Sequence, residues 1–208
     1  MKAENKDIVY LHFTGYSDDG RIFDSTEGEI GQKLYGRNNG IMFIVGVDKI
    51  VKGLENEIRN MEEGEEREVW LEPEQSFGER KKDLLKIIPL NIVKEKGLNP
   101  KAGMSMQIEI DGIKYTGVVR SINGGRMLVD FNHPLAGKKV RYKIKLEKVI
   151  KDPFEKAELL MKDAGVEGNA TKEGGKIIVK VKTEKDYEKM KKALEKVVGE
   201  GFDVQVVQ

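Results

Sequence analysis

The stretch from Val140 to Glu147 constrains this chain more than any other. Val140, Tyr142, Ile144 and Leu146 alternate with Arg141, Lys143, Lys145 and Glu147. A period of two with one apolar face predicts a half-buried strand in an antiparallel sheet. The chain must therefore supply further strands and something to cover the apolar face.

It does both near its start. Asp7 to Gly15 is rich in β-branched and aromatic residues, with Val9, Leu11 and Phe13 on one face, and reads as a strand. Asp18-Asp19-Gly20 signals a turn, Arg21 to Asp24 a second strand, and the apolar run Met42 to Val45 a third. Lys49 to Met61 places Ile50, Leu54, Ile58 and Met61 at helical spacing, with Gly64 as a stop. Glu68 to Leu71 is strand-like before Pro73. These pieces predict a small antiparallel half-barrel wrapped on one short helix.

Two segments carry their own patterns. Between about Leu84 and Asp130, Pro89 to Lys96 reads as a short helix ended by Gly97. Met104, Met106, Ile108 and Ile110 alternate with polar partners, and Asp111-Gly112 marks a hairpin. Lys114 to Val119 returns, Asn123-Gly124-Gly125 turns, and Met127 to Phe131 closes a meander. After Ile150 the style changes again. Asp152-Pro153 opens a helix closed by Gly165, Lys176 to Lys182 alternates, and Thr183 with Asp186 caps a helix bearing Tyr187, Met190, Leu194 and Val197. Asp203 to Val207 is a last strand, so this tail reads as a small α/β module.

Composition removes several chemistries. The 208 residues include no Cys, so disulfides, thiol nucleophiles and thiolate metal sites are excluded. Only two histidines occur, His12 and His133, which leaves little for an imidazole metal centre or serine–histidine catalysis. They are expected to be a strand residue and a loop anchor respectively. The net charge of +1 gives no electrostatic case for nucleic acid or an anionic membrane. Met1 to Tyr10 is too polar for a signal sequence and no run is long enough to span a bilayer, so a cytoplasmic protein is expected. Its Lys- and Glu-rich usage fits a heat-adapted intracellular protein.

Several blocks in order then carry a resemblance. Val9-Tyr10-Leu11-His12-Phe13-Thr14-Gly15, Asp19-Gly20 and Phe23-Asp24-Ser25-Thr26 are followed by Phe43-Ile44-Val45-Gly46 and Ile50-Val51-Lys52-Gly53-Leu54-Glu55. Met61-Glu62-Glu63-Gly64-Glu65, Pro73-Glu74-Gln75-Ser76-Phe77-Gly78 and Asn132-His133-Pro134-Leu135-Ala136-Gly137-Lys138 complete the series. About residues 5 to 150 resemble the FK506-binding-protein type of peptidyl-prolyl cis-trans isomerase. Within it they resemble the SlyD-like branch with an inserted flap, as a long archaeal-type member with a C-terminal extension. The resemblance implies an α+β fold: a half-barrel wrapped on a short helix (1–83 plus 131–151), a β-rich flap (84–130) and a C-terminal α/β module (152–208).

It also implies a site. Phe13, Phe23, Asp24, Phe77 and Tyr142 fall at the catalytic positions, and Ile41, Phe43, Ile50, Val51 and Leu54 at substrate-binding ones. Met104, Met106 and Ile108 of the flap are expected to bind unfolded chains, flexible thioethers being suited to varied apolar surfaces. Leu54 stands where many members place a Trp, and Phe77, in place of a Tyr, lacks a hydroxyl for a bound carbonyl. Asp24 is assigned a supporting role, positioning a Tyr, a loop amide or the substrate. No metal or other cofactor is implied, and the family's His-rich tail is missing from this sequence. The implied partners are unfolded or partly folded proline-containing polypeptides, with neither nucleic acid nor membrane, and a homodimer through the C-terminal module is an open possibility. The competing reading is a non-catalytic holdase or dimerisation module with a vestigial pocket.

Overall fold

The computed structural model describes residues 1–95, 97–110 and 112–207. The chain begins with β1 (Ile8–Tyr16), β2 (Ile22–Ser25), α1 (Gly28–Tyr35), β3 (Ile41–Ile44), α2 (Lys52–Asn60) and β4 (Glu66–Leu71). Next come β5 (Leu85–Pro89), α3 (Leu90–Lys94), β6 (Ser105–Ile110), β7 (Ile113–Asn123) and β8 (Arg126–Asp130). It ends with β9 (Val140–Ile150), α4 (Pro153–Ala164), β10 (Gly168–Glu173), β11 (Lys176–Val181), α5 (Glu184–Val197) and β12 (Phe202–Val206). These form two compact units, Met1–Leu71 with Val140–Gln208, and Glu72–Lys139. The architecture is α+β. No helix among the described residues is long and apolar enough to cross a membrane.

In the first unit an antiparallel sheet runs β2-β1-β9-β4, with β3 also on β1. The alternation that opens the sequence argument sets its register: Leu11 lies opposite Leu146, Phe13 opposite Ile144 and Gly15 opposite Tyr142. Val140, Tyr142, Ile144 and Leu146 are buried while Lys143, Lys145 and Glu147 are exposed. The period then breaks. Tyr10 pairs with Lys148 and Leu11 with Leu146, so Glu147 is the extra residue of a bulge. Beyond it Val149 and Ile150 are both buried.

The reason is a second layer. Ile8, Ile44 and Ile150 share a core with Ala157 of α4, Val179 of β11, and Met190 and Leu194 of α5. The tail thus begins where its capping signals place it, yet its core continues across that boundary into the half-barrel. Lys156 of α4 pairs with Asp7 at 3.0 Å, with side chains only 8% and 7% exposed. Both caps form: Asp152 Oδ1 accepts from the Glu155 N–H at 2.9 Å, and Thr183 Oγ1 from the Asp186 N–H at 3.1 Å. The tail sheet runs β10-β11-β12, antiparallel then parallel, and α5 connects the parallel pair. Strand β10, mostly polar, is absent from the sequence expectation.

Helix α1 is also absent from it. Its sequence, GEIGQKLY, spans only eight residues, so Ile30 and Leu34 make a single helical repeat, too short to announce a helix. Packing sets it instead: a Cβ on Gly31 would stand 2.5 Å from the Thr26 carbonyl carbon, so only glycine lets the helix approach. Gly36 ends it in the left-handed conformation at φ 69°.

The second unit is a four-stranded antiparallel sheet, β5-β8-β7-β6, over a core of Ile88, Val93, Met106, Ile108, Val119, Met127 and Val129. Strand β5 completes the expected meander by pairing with β8. Gly124 and Gly125 both take positive φ in the predicted turn. In two other predicted features, Asp111 of the hairpin turn and Lys96 at the end of the short helix lie outside the described residues. At the root of this sheet Asp130 is 2% exposed and ion-pairs with Arg80 and Arg120. Asn132 exchanges two hydrogen bonds with the Lys81 backbone, at 2.8 and 2.9 Å.

Candidate active site

The register places Asp24, Gly15, Tyr142 and Val69 in one row across β2, β1, β9 and β4. Strict alternation would send Phe23 and Asp24 to opposite faces. It fails here because Gly15 pairs with Asp24 while Tyr16 pairs with Ile22, which leaves Phe23 as the bulged residue. A bulge re-aims a side chain, and the Phe23 ring turns in over Gly15. It meets Tyr142 edge-on with centroids 5.7 Å apart and planes at 87°. Phe13 meets Tyr142 at 5.9 Å and 66°, and Tyr35 at 6.1 Å and 82°.

Gly15 is a requirement of this cluster. A Cβ there would stand 2.7 Å from Phe23 Cζ and 2.9 Å from Tyr142 Cε1. The strand beneath is fixed by Thr26, fully buried, whose Oγ1 accepts from the Phe13 N–H at 2.9 Å. Thr14 and Ser25 hydroxyls add a bond at 3.0 Å.

The Tyr35 hydroxyl donates to Asp24 Oδ1 at 2.8 Å. Desolvation raises the Asp24 carboxyl above its ordinary range, opposed by the Tyr35 bond and the Ser25 backbone N–H. Desolvation also raises the Tyr35 and Tyr142 phenols, assisted by the Asp24 charge, so both hydroxyls keep their protons at neutral pH. The result is an apolar aromatic wall with one desolvated carboxylate beside it. It offers water exclusion and a fixed charge.

Of the sequence-predicted residues, Phe13, Phe43, Leu54 and Tyr142 are at most 3% exposed, and Phe23, Asp24, Ile41, Ile50 and Val51 are half-buried. All lie in the first unit. Phe77 lies in the second, stacked flat on His133 with centroids 4.4 Å apart and planes at 1°. The loop-anchor expectation for His133 has a physical basis: its Nδ1 accepts from the Leu135 N–H at 3.2 Å, and burial lowers its pKa. His12 takes the strand position expected of it, with ring nitrogens 3.2 and 2.7 Å from Glu27 and Glu147.

Three flap expectations need correction or narrowing. Met106 and Ile108 are 6% and 7% exposed in the core of the second unit, so they hold its sheet and are not presented to a chain in solution. Met104 is 41% exposed. The apolar surface of this unit comes from Met104 with Ile87, Ile92, Leu98, Ile113 and Tyr115. Tyr35 is the residue that sequence reasoning missed. It belongs to none of the motif blocks, and the available signal was Gly36 as a helix stop directly behind an aromatic residue. Among the described residues no group of three or more His, Asp or Glu is placed to hold a metal.

Residues 1–110 match the family described as "FKBP-type peptidyl-prolyl cis-trans isomerase", and residues 86–135 match "FKBP26, IF domain". The chain is 33% identical over 147 residues to the FKBP-type 16 kDa peptidyl-prolyl cis-trans isomerase of Escherichia coli K12, covering 69% of this chain and 91% of that one. It is 32% identical over 136 residues to the short-type peptidyl-prolyl cis-trans isomerase of Methanocaldococcus jannaschii, covering 63% and 84%. It is 31% identical over 154 residues to the FKBP-type isomerase SlyD of Treponema pallidum, covering 72% and 79%. Among solved structures, the three FKBP domains of wheat FKBP73 align at 16% identity and a TM-score of 0.39, over 73% of this chain and 42% of that one.

Proposed function

The chain belongs to the family of FKBP-type peptidyl-prolyl cis-trans isomerases, and on that premise we propose that the aromatic row of its first unit is where X-Pro bonds are rotated. The observation that carries the proposal is the closure of Phe23 and Tyr142 over Gly15, in the same row as Asp24.

The chemistry needs no covalent step. Amide resonance holds the X-Pro bond planar behind a barrier of roughly 18–20 kcal/mol. It also places negative charge on the carbonyl oxygen, which water stabilises. The twisted transition state loses that charge separation. Walls of Phe13, Phe23, Phe43, Leu54 and Tyr142 remove water, which disfavours the planar form relative to the twisted one. A barrier lowered by about 4 kcal/mol is roughly a thousandfold in rate.

The proposed substrates are proline-containing polypeptides, unfolded or partly folded. Catalytic amounts of the protein should speed the proline-limited phase of a refolding protein. Phe23→Leu and Tyr142→Phe variants should each speed it less. A wild-type protein that suppresses aggregation without touching the slow phase would establish the holdase reading instead.

The insert supplies a chaperone surface in this proposal, supported by exposed Ile87, Met104, Ile113 and Tyr115. Deleting about Leu84 to Asp130 should lower activity on a protein substrate far more than on a tetrapeptide, and equal losses would refute the division of labour. The C-terminal sheet is proposed to pair two copies through β12, whose edge bears Val206, with exposed Val207 next to it. Light scattering of Val206→Lys tests this, because removing the whole tail would uncover Ile8, Ile44 and Ile150. The cysteine-free, Lys- and Glu-rich composition supports a cytoplasmic setting, which cell fractionation tests.

A further inference from the structure

We propose that Tyr35, at the end of α1, is a positioning residue that orients Asp24 in the isomerase site. This rests on the isomerase reading given above and assigns a role to a residue outside every motif block.

Three observations converge. The Tyr35 hydroxyl is 2.8 Å from Asp24 Oδ1, and the Tyr35 ring meets Phe13, a wall residue, edge-on at 6.1 Å. The hydroxyl is delivered by backbone and not by a flexible arm. Gly31 lets α1 lie against the Thr26 carbonyl, and Gly36 caps the helix immediately after Tyr35, its N–H donating to the Gln32 carbonyl. The next residue, Arg37, ion-pairs with Asp163 of α4, and the Gly40 N–H donates to the Thr26 carbonyl at 3.1 Å, so the loop behind Tyr35 is tied at both ends. Finally, Phe13 and Phe23, the wall rings on β1 and β2, carry no hydroxyl to do this work.

A carboxylate beside aromatic rings has few ways to satisfy its charge. The titratable groups acting on Asp24 are Tyr35 from α1 and Tyr142 from β9, with the Ser25 backbone N–H on its own strand. Removing the Tyr35 donor frees the carboxylate to rotate out toward water, and the fixed charge beside the twisting imide is lost. Tyr35 itself is 36% exposed, so its hydroxyl is not needed to fill the core.

The test compares wild type, Tyr35→Phe, Asp24→Asn and the double variant in tetrapeptide isomerisation across pH, with urea unfolding run in parallel. Tyr35→Phe keeps the ring and should cut kcat/KM roughly threefold to tenfold, the effect of losing one hydrogen bond at a solvent-exposed residue. The loss should fall mainly on kcat, and any acid limb of the profile should move to lower pH as the carboxylate gains water. In the Asp24→Asn background the same change should have less than about twofold effect. Independently of any Tyr35 variant, Asp24→Asn should lower the titration midpoint of the Tyr35 phenol in ultraviolet difference spectra.

Wild-type kcat/KM and pH profile in Tyr35→Phe would overturn the inference. So would equal losses in both backgrounds, or a phenol titration that Asp24→Asn leaves unmoved. An inactive wild type would instead remove the isomerase reading itself.

Discussion

Gly15→Ala is the sharpest perturbation the site allows. The backbone accommodates alanine, since Gly15 is not among the glycines with positive φ. The added methyl, however, would lie 2.7 Å from Phe23 Cζ and 2.9 Å from Tyr142 Cε1, whereas ordinary contact begins at 3.4 Å. Each ring must retreat by at least about half an ångström. Overpacking of this kind costs about 1–3 kcal/mol, offset by about 0.5–1 kcal/mol because glycine is a poor strand residue. Global stability should therefore fall by no more than about 2.5 kcal/mol. The pocket suffers more, because the Phe23–Tyr142 edge contact is worth about 0.5–1.5 kcal/mol and misplacement by about 1 Å can cost up to a hundredfold. We expect kcat/KM to drop at least about tenfold while the urea midpoint moves little. A Gly15→Ala protein with wild-type tetrapeptide activity, or one whose activity loss only tracks global unfolding, would refute the reasoning.

Other outcomes follow from separate parts of the molecule. Asp7→Ala would leave Lys156 buried without its partner and should cost about 3–5 kcal/mol in urea unfolding, whereas Asp7→Leu with Lys156→Met should recover most of that loss. Asp24 has a folded-state pKa above its unfolded one, so the native state binds the proton more tightly and stability falls as pH rises from the ordinary carboxylate range through the raised value. Asp24→Asn should abolish that fall, leaving a flatter stability–pH curve. For His133 burial lowers the pKa, so stability is lost as pH falls from its ordinary value of 6.5 toward the lowered one. His133→Phe keeps the stack on Phe77 and should remove that acid sensitivity in thermal melts. Gly31→Ala, whose Cβ would strike backbone, should detach α1 and reduce kcat/KM at least as much as Tyr35→Phe.

Sequence alone determined the parts of this protein whose cause is local or periodic. The alternation from Val140 to Leu146 is its own register instruction. Asp152 and Thr183 are caps because their side chains reach the N–H groups three residues on, and Gly124-Gly125 is a turn because both need positive φ. The resemblance carried by the motif blocks likewise singled out Phe13, Phe23 and Asp24, with Tyr142 on the last strand of the half-barrel, as candidates. What only the tertiary structure decided depends on residues distant in sequence. The bulge at Phe23 needs a neighbouring strand to be out of step with, and Gly15 matters only once Tyr142 lies across from it. Met106 and Ile108 look like any alternating face until they join Val93, Val119 and Met127 in one core. Helix α1 forms against a surface its own sequence does not announce, and that docking brings the Tyr35 hydroxyl to Asp24. A period of two or 3.6 encodes which face of an element is apolar; it does not encode what that face will meet.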